Sequence, residues 1–138
     1  MAERHLRVAT AVLALLGAAP AGYLVYVRAS GGALACATGG WETVQSSRYA
    51  EVFGVPVALV GLFGYLIVLA CAVAVGDLAR LAQAMVTLSA FIFSAYLLFV
   101  QLHLVGAVCQ WCLVSDVLTT ALAVVALIRV RLATPAQR

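Results

Sequence analysis

No charged side chain occurs from Val8 to Val27, from Val52 to Gly76 or from Leu81 to Ser115, and this spacing constrains the fold more than any other feature. A bilayer core about 30 Å thick needs roughly 20 apolar residues at a rise of about 1.5 Å each. Each gap is long enough. A fourth apolar run, Val117 to Ile128, reaches spanning length when it starts near Cys109 or Trp111. The expected fold is all-α and integral to the membrane: a four-helix bundle with spans over about 8–27, 56–75, 81–102 and 110–129. A loop over about 28–55 then caps it, and 1–138 form one domain. Composition agrees, with 66% hydrophobic and 9% charged residues against about 25% charged in soluble domains. That excludes a cytosolic enzyme or a disordered tail. All eight positive charges are Arg, and they are scattered rather than gathered into a stripe, so no nucleic-acid partner is expected.

The arginines also choose an orientation. With both termini on one side, Arg4, Arg7, Arg80, Arg129, Arg131 and Arg138 lie together, and Arg28 and Arg48 lie opposite. This asymmetry assigns the termini and the Gly76–Arg80 turn to the cytoplasm, and the long loop and the 103–112 turn to the outside. Arg4, Arg7, an apolar stretch and the small residues Ala18 to Ala21 have the parts of a signal peptide. The apolar character runs on from Tyr23 to Val27, longer than such a region needs, so an uncleaved first helix softened at Pro20 is expected.

In the outer loop, Ser30-Gly31-Gly32 and Thr38-Gly39-Gly40 are flexible breakers. Ser46 or Ser47 can cap a short amphipathic helix in which Tyr49, Val52 and Phe53 share an apolar face. Gly54 closes it, and Pro56 suits the first turn of the second span. A lid on the membrane surface and an ordinary interfacial loop both fit this composition.

Four cysteines carry the chemistry. Cys36 lies in the outer loop, Cys71 in the second span, and Cys109-Gln110-Trp111-Cys112 opens the fourth. A C-x-x-C pair at a helix start is a thiol–disulfide arrangement, because the sulfurs close a small ring and the helix N-terminus favours a thiolate. The competing readings are half a zinc site and two incidental apolar residues. Zinc needs two further ligands, for which only Cys36 and His103 offer themselves. Disulfide chemistry suits the oxidising side of a membrane better, so no metal is expected. Cys71 reads as a packed apolar thiol.

A membrane dithiol needs an electron acceptor, and a lipid-soluble quinone takes two electrons, matching one disulfide. Tyr96, Phe99 and His103 fall at i, i+3 and i+7 of the third span and share a face toward the outer turn. They are the expected quinone contacts, against the plainer reading of aromatic packing and a water-satisfied histidine. Asp116 follows Cys112 by one turn and Cys109 by two, so the three share a helical face. Its plainer role is to oppose the helix dipole. An ionisable group at membrane depth is a functional candidate, however. A carboxylate there disfavours a neighbouring thiolate, so a proton role suits it better than thiol activation.

Cys36-Ala37-Thr38-Gly39-Gly40, Glu42-Thr43-Val44-Gln45-Ser46-Ser47-Arg48-Tyr49-Ala50, Gly54-Val55-Pro56-Val57-Ala58 and Gly61 together resemble the vitamin K epoxide reductase family. The likeness is closer to its bacterial members, which form disulfides and pass electrons to quinone. Cys109 and Cys112 match the family's active-site pair. The resemblance implies a four-helix bundle around a quinone (menaquinone, ubiquinone or vitamin K type), capped by the loop and its short helix. It implies that Cys112 is the cysteine nearest the quinone and Cys109 its exchange partner. Ser47 matches a loop serine that hydrogen-bonds the quinone, where a hydroxyl donor stabilises developing negative charge. Cys36 matches the first of two loop cysteines that relay electrons from a thioredoxin-like thiol oxidase.

One departure stands out. Trp41 occupies the place of the second loop cysteine, the thiol expected to exchange with Cys109. Trp cannot exchange disulfides, and its bulk suits an interfacial anchor or a plug at the pocket mouth. The relay is therefore expected to be impaired. Three accounts are open: a substitution introduced to arrest the enzyme, which is the favoured one; a natural variant using Cys36 directly; or a reductant that bypasses the loop. The expected function is a membrane thiol:quinone oxidoreductase drawing on the quinone pool, with vitamin K epoxide as a further substrate to test. A four-helix small-molecule exporter is the alternative, and it would need an embedded acid with alternating access, for which only Asp116 qualifies.

Overall fold

A computed structural model describes residues 2–30, 51–52, 55–106 and 110–133. Cys36, Trp41, Ser47 and Cys109, and all of the short helix expected from Ser46 or Ser47 to Phe53 except Glu51 and Val52, lie outside the described residues.

The element order is α1 (Ala2–Ser30), β1 (Glu51–Val52), β2 (Val55–Pro56), α2 (Val57–Val73), α3 (Asp77–Phe99), a π-helical segment (Val100–Val105) and α4 (Gln110–Ala133). Three candidate spans, Ala2–Val27, Asp77–Val105 and Gln110–Leu132, are long and apolar enough to cross a membrane. The chain is thus a multi-pass membrane protein. Val57–Val73 is also apolar but shorter, at 17 residues.

Two sequence expectations change. The short loop helix was expected to continue through Val52, but Glu51 pairs with Pro56 and Val52 with Val55 in an antiparallel ladder. Two β-branched valines facing each other favour this extended pairing. Pro56, which has no N–H to give a helix, then directly precedes α2. Arg129 was grouped with the charges flanking the spans on the side of the termini, yet its side chain is 0% exposed. Partners from α1 and α3 draw it inward.

The bundle is inverted relative to a water-soluble one. Phe63, Ile67, Met85, Ile92 and Leu132 are exposed, whereas Thr10, Gln83, Thr87, Gln101, Thr119 and Arg129 are buried. Lipid accepts the apolar side chains; Thr10, Gln83, Thr119 and Arg129 make interhelical hydrogen bonds, and Thr87 bonds back to carbonyls of its own helix. Pro20 lies within α1. Small residues on this helix allow close approach: Ala14 and Ala21 pack in a core with Tyr65, Val68 and Leu122.

One end of the bundle is held by arginines. Arg7 Nε donates to the Ala72 carbonyl at 2.8 Å and Nη2 to that of Val73 at 2.6 Å, capping the C-terminus of α2. Gly76, at φ 116°, makes the turn into α3, where Arg80 pairs with Asp77 at 2.5 Å. Arg129 donates to Glu3 Oε1 at 2.7 Å and to Gln83 Oε1, and Gln83 Nε2 donates to Thr10 Oγ1 at 3.2 Å. α1, α3 and α4 are thereby joined.

Candidate active site

The opposite end opens into an apolar cavity of about 520 Å³, within the size range of small-molecule sites. All four helices line it. Pro20 and Leu24 come from α1, Gly61 and Tyr65 from α2, and Phe93, Ser94 and Leu97 from α3. Gln101 belongs to the π segment, and α4 contributes Trp111, Cys112, Ser115, Asp116 and Thr119.

Helical periodicity explains the α4 wall. Cys112, Ser115, Asp116 and Thr119 recur at three- and four-residue steps and form one stripe on the inner side. Cys112 is half-buried, two residues after the helix begins at Gln110. Trp111 packs edge-on against Tyr23 of α1, with ring centroids 5.8 Å apart, which holds the start of α4 against α1.

Two polar links tie this stripe to its neighbours. Ser94 Oγ donates to Asp116 Oδ1. Asp116 Oδ2 is buried with no hydrogen-bond partner among the described residues. A carboxyl oxygen left unsatisfied on a cavity wall marks where a ligand's polar atom gains most. Tyr65 Oη lies 2.6 Å from Ser115 Oγ and 3.2 Å from Thr119 Oγ1, joining α2 to α4.

Of the residues singled out in the sequence, Cys112 and Asp116 meet at this cavity. Tyr96, Phe99 and His103 do not line it. Phe99 and His103 stack on each other with centroids 4.7 Å apart, and Tyr96 and Phe99 are about half exposed on the outer side of α3. Phe93, Ser94, Leu97 and Gln101 occupy the inner face instead, rotated by roughly a third of a turn at 3.6 residues per turn. The shared periodicity of the three aromatic positions was real, but it belongs to the other face. Tyr96 approaches the cavity only through Phe93, at a centroid distance of 6.1 Å.

Gln101, 3% exposed, was missed by sequence reading. It sits in the π segment, which ends at Gly106 in a left-handed conformation with φ 74°. A π-helical turn widens the backbone locally and is common at functional sites. Gly106 was its only sequence signal. Cys71 is buried in α2, away from this end, as a packed thiol would be. No three His, Cys, Asp or Glu side chains gather as a metal site among the described residues.

The family model described as the vitamin K epoxide reductase family matches residues 8–127, so the chain belongs to that family. Membership makes the chain an oxidoreductase; membrane quinone-linked thiol oxidation is the chemistry of the family as a whole.

Proposed function

We propose, from that membership, that the protein oxidises dithiols and reduces a membrane quinone to the quinol, forming disulfides through a thioredoxin-like partner. One observation carries this reading. Cys112 and Asp116, whose Oδ2 has no hydrogen-bond partner among the described residues, share the wall of an apolar cavity large enough for a quinone head group. Cys109, three residues before Cys112, is its disulfide partner, and Cys36 and Ser47 act from the loop as relay thiol and quinone hydrogen-bond donor.

The reaction balances as follows. The two thiols of Cys109 and Cys112 lose two protons and two electrons in forming one S–S bond, and the quinone gains both to become quinol. Cys112, at the cavity, delivers the electron pair. The protonated Asp116 carboxyl donates to the quinone oxygen that develops negative charge, then recovers a proton from the thiols. Ser94 holds the other carboxyl oxygen, leaving Oδ2 for the substrate. The ring contacts expected from Tyr96, Phe99 and His103 pass to Phe93, Leu97 and Trp111, the aromatic and apolar side chains of the inner wall. Menaquinone, ubiquinone and vitamin K quinones share the required chemistry, and vitamin K epoxide is a further substrate to assay.

In the membrane α2 serves as the fourth span. Its 17 residues extend about 25 Å at 1.5 Å each, and the flanking apolar Val55, Ala74 and Val75 complete the crossing. The arginine-rich end, with both termini, faces the cytoplasm and the cavity mouth faces outward. Purified full-length protein supplied with a small dithiol and a short-chain quinone is expected to consume quinone, and Cys112→Ala to abolish it. Equal rates would refute the assignment.

A further inference from the structure

Tyr65 has no place in the chemistry just described, yet it is among the most constrained side chains in the protein. Its residue is 5% exposed in the core of the bundle. Its ring lies directly against the backbone of Gly17 in α1. A methyl group added at Gly17 would fall on that ring, 2.6 Å from Cδ1, so any side chain there displaces the tyrosine. Its hydroxyl contacts three oxygens on one turn of α4: Ser115 Oγ at 2.6 Å, the Ser115 carbonyl at 3.2 Å and Thr119 Oγ1 at 3.2 Å. Ser115 is adjacent to Asp116 and three residues after Cys112. A phenol spends most of its hydrogen-bonding capacity on a single turn, and that turn carries both reactive groups.

We propose that Tyr65 is a positioning residue for the thiol:quinone reaction. Seated on Gly17, it fixes the height and rotation of α4 and so sets where Cys112 and Asp116 meet the substrate. The inference rests on the proposed function and adds a determinant of its rate. Hydrogen bonds from a buried, ring-anchored tyrosine restrict a helix more than apolar contacts do, because they are directional. Apolar walls supply most of the quinone's ground-state binding, whereas electron and proton delivery depend on the angular placement of one sulfur and one carboxyl. Loss of the hydroxyl therefore lowers kcat and spares KM.

The test uses the full-length protein in detergent, with steady-state quinone reduction and the rate of Cys112 alkylation by a maleimide, resolved by peptide mass spectrometry. Tyr65→Phe keeps the ring and is expected to lower kcat about ten-fold with KM within about two-fold, and to change Cys112 alkylation several-fold. Gly17→Ala is expected to act in the same direction. Should Gly17→Ala fail to fold, Gly17→Ala combined with Tyr65→Leu relieves the clash. That double variant is expected to match Tyr65→Leu alone, folded but still slow, a non-additivity that ties the two positions together.

Tyr65→Phe with unchanged kcat and unchanged alkylation would overturn the proposal, leaving Tyr65 a packing residue. A rise in KM alone would also overturn it, in favour of direct contact with the quinone. Wild-type protein that is inert toward quinone while Tyr65→Phe still alters Cys112 alkylation would instead refute the thiol:quinone reading and uphold the positioning.

Discussion

Replacing Gln83 by Leu tests whether the arginine end is a structural lock. Gln83 is 0% exposed, and its amide both accepts from Arg129 and donates to Thr10. Leu nearly matches its volume and offers neither function. The variant leaves the fully buried Arg129 with Glu3 among the described residues, where Arg129 Nε is already without a partner. A hydrogen bond to a charged group contributes about 1.5–3 kcal/mol and a neutral one about 0.5–1.5 kcal/mol, so the loss is about 2–4.5 kcal/mol. An average interhelical hydrogen bond in lipid contributes only about 0.6 kcal/mol. The measurement therefore separates a guanidinium left short of partners from ordinary bundle glue. Unfolding by sodium dodecyl sulfate in mixed micelles reads the change directly. Gln83→Glu keeps an acceptor and adds a second negative charge beside Arg129, next to Glu3, and is expected to lose less than the Leu variant. Because Gln83 does not line the cavity, Gln83→Leu assayed well below its melting point should keep its quinone turnover. A loss below about 1 kcal/mol would refute the lock, since it would equal the ordinary lipid value within error.

Two further outcomes are expected. Arg7→Ala removes both hydrogen bonds to the α2 carbonyls. It should cost about 1–2 kcal/mol and speed amide exchange at Ala74, whose N–H reaches the Ala70 carbonyl at 2.9 Å; unchanged exchange there would refute the cap. Trp41→Cys is expected to raise turnover with a thioredoxin-like protein more than with small dithiols, whereas an equal response to both reductants would rule out an interrupted relay.

The positions of the helices were legible because the forces that set them act on composition. A lipid core rejects charge, so charged residues collect where helices end: Arg80 beside the turn at Gly76, and Arg28 near the close of α1. The placement of Cys112 and Asp116 on one cavity wall was legible for a similar reason. Both residues are rare in such segments, and their spacing of four puts them on one helical face. Faces were harder to read. Tyr96, Phe99 and His103 have helical periodicity, but in a membrane bundle aromatic residues satisfy either side of a helix, and hydropathy does not distinguish lipid from core. Arg129 misled for the opposite reason. A charge at the end of an apolar run normally flanks a membrane, and only Glu3 and Gln83, from distant parts of the chain, draw it inside. The Tyr65 contacts left a faint trace, since Ser115 and Thr119 repeat at four residues along the Cys112 stripe, but their partner in α2 follows only from packing.

The two ends of the bundle divide its polar groups by purpose. At the arginine end, side chains from α1, α3 and α4 meet in one network away from the cavity, and Arg7 closes α2. Such an end is suited to holding helices in register. At the cysteine end the polar groups face the cavity: Ser94 meets one oxygen of Asp116, while Oδ2 stands unpartnered among the described residues on the cavity wall. An unsatisfied buried oxygen costs about 1–3 kcal/mol, and stability alone would favour removing it. Its retention beside Cys112 follows if a substrate's polar atom completes the set on binding, so that interactions missing from the empty site become available during the reaction. By this argument a substrate lacking a carbonyl or hydroxyl toward Asp116 would fill the cavity without being turned over.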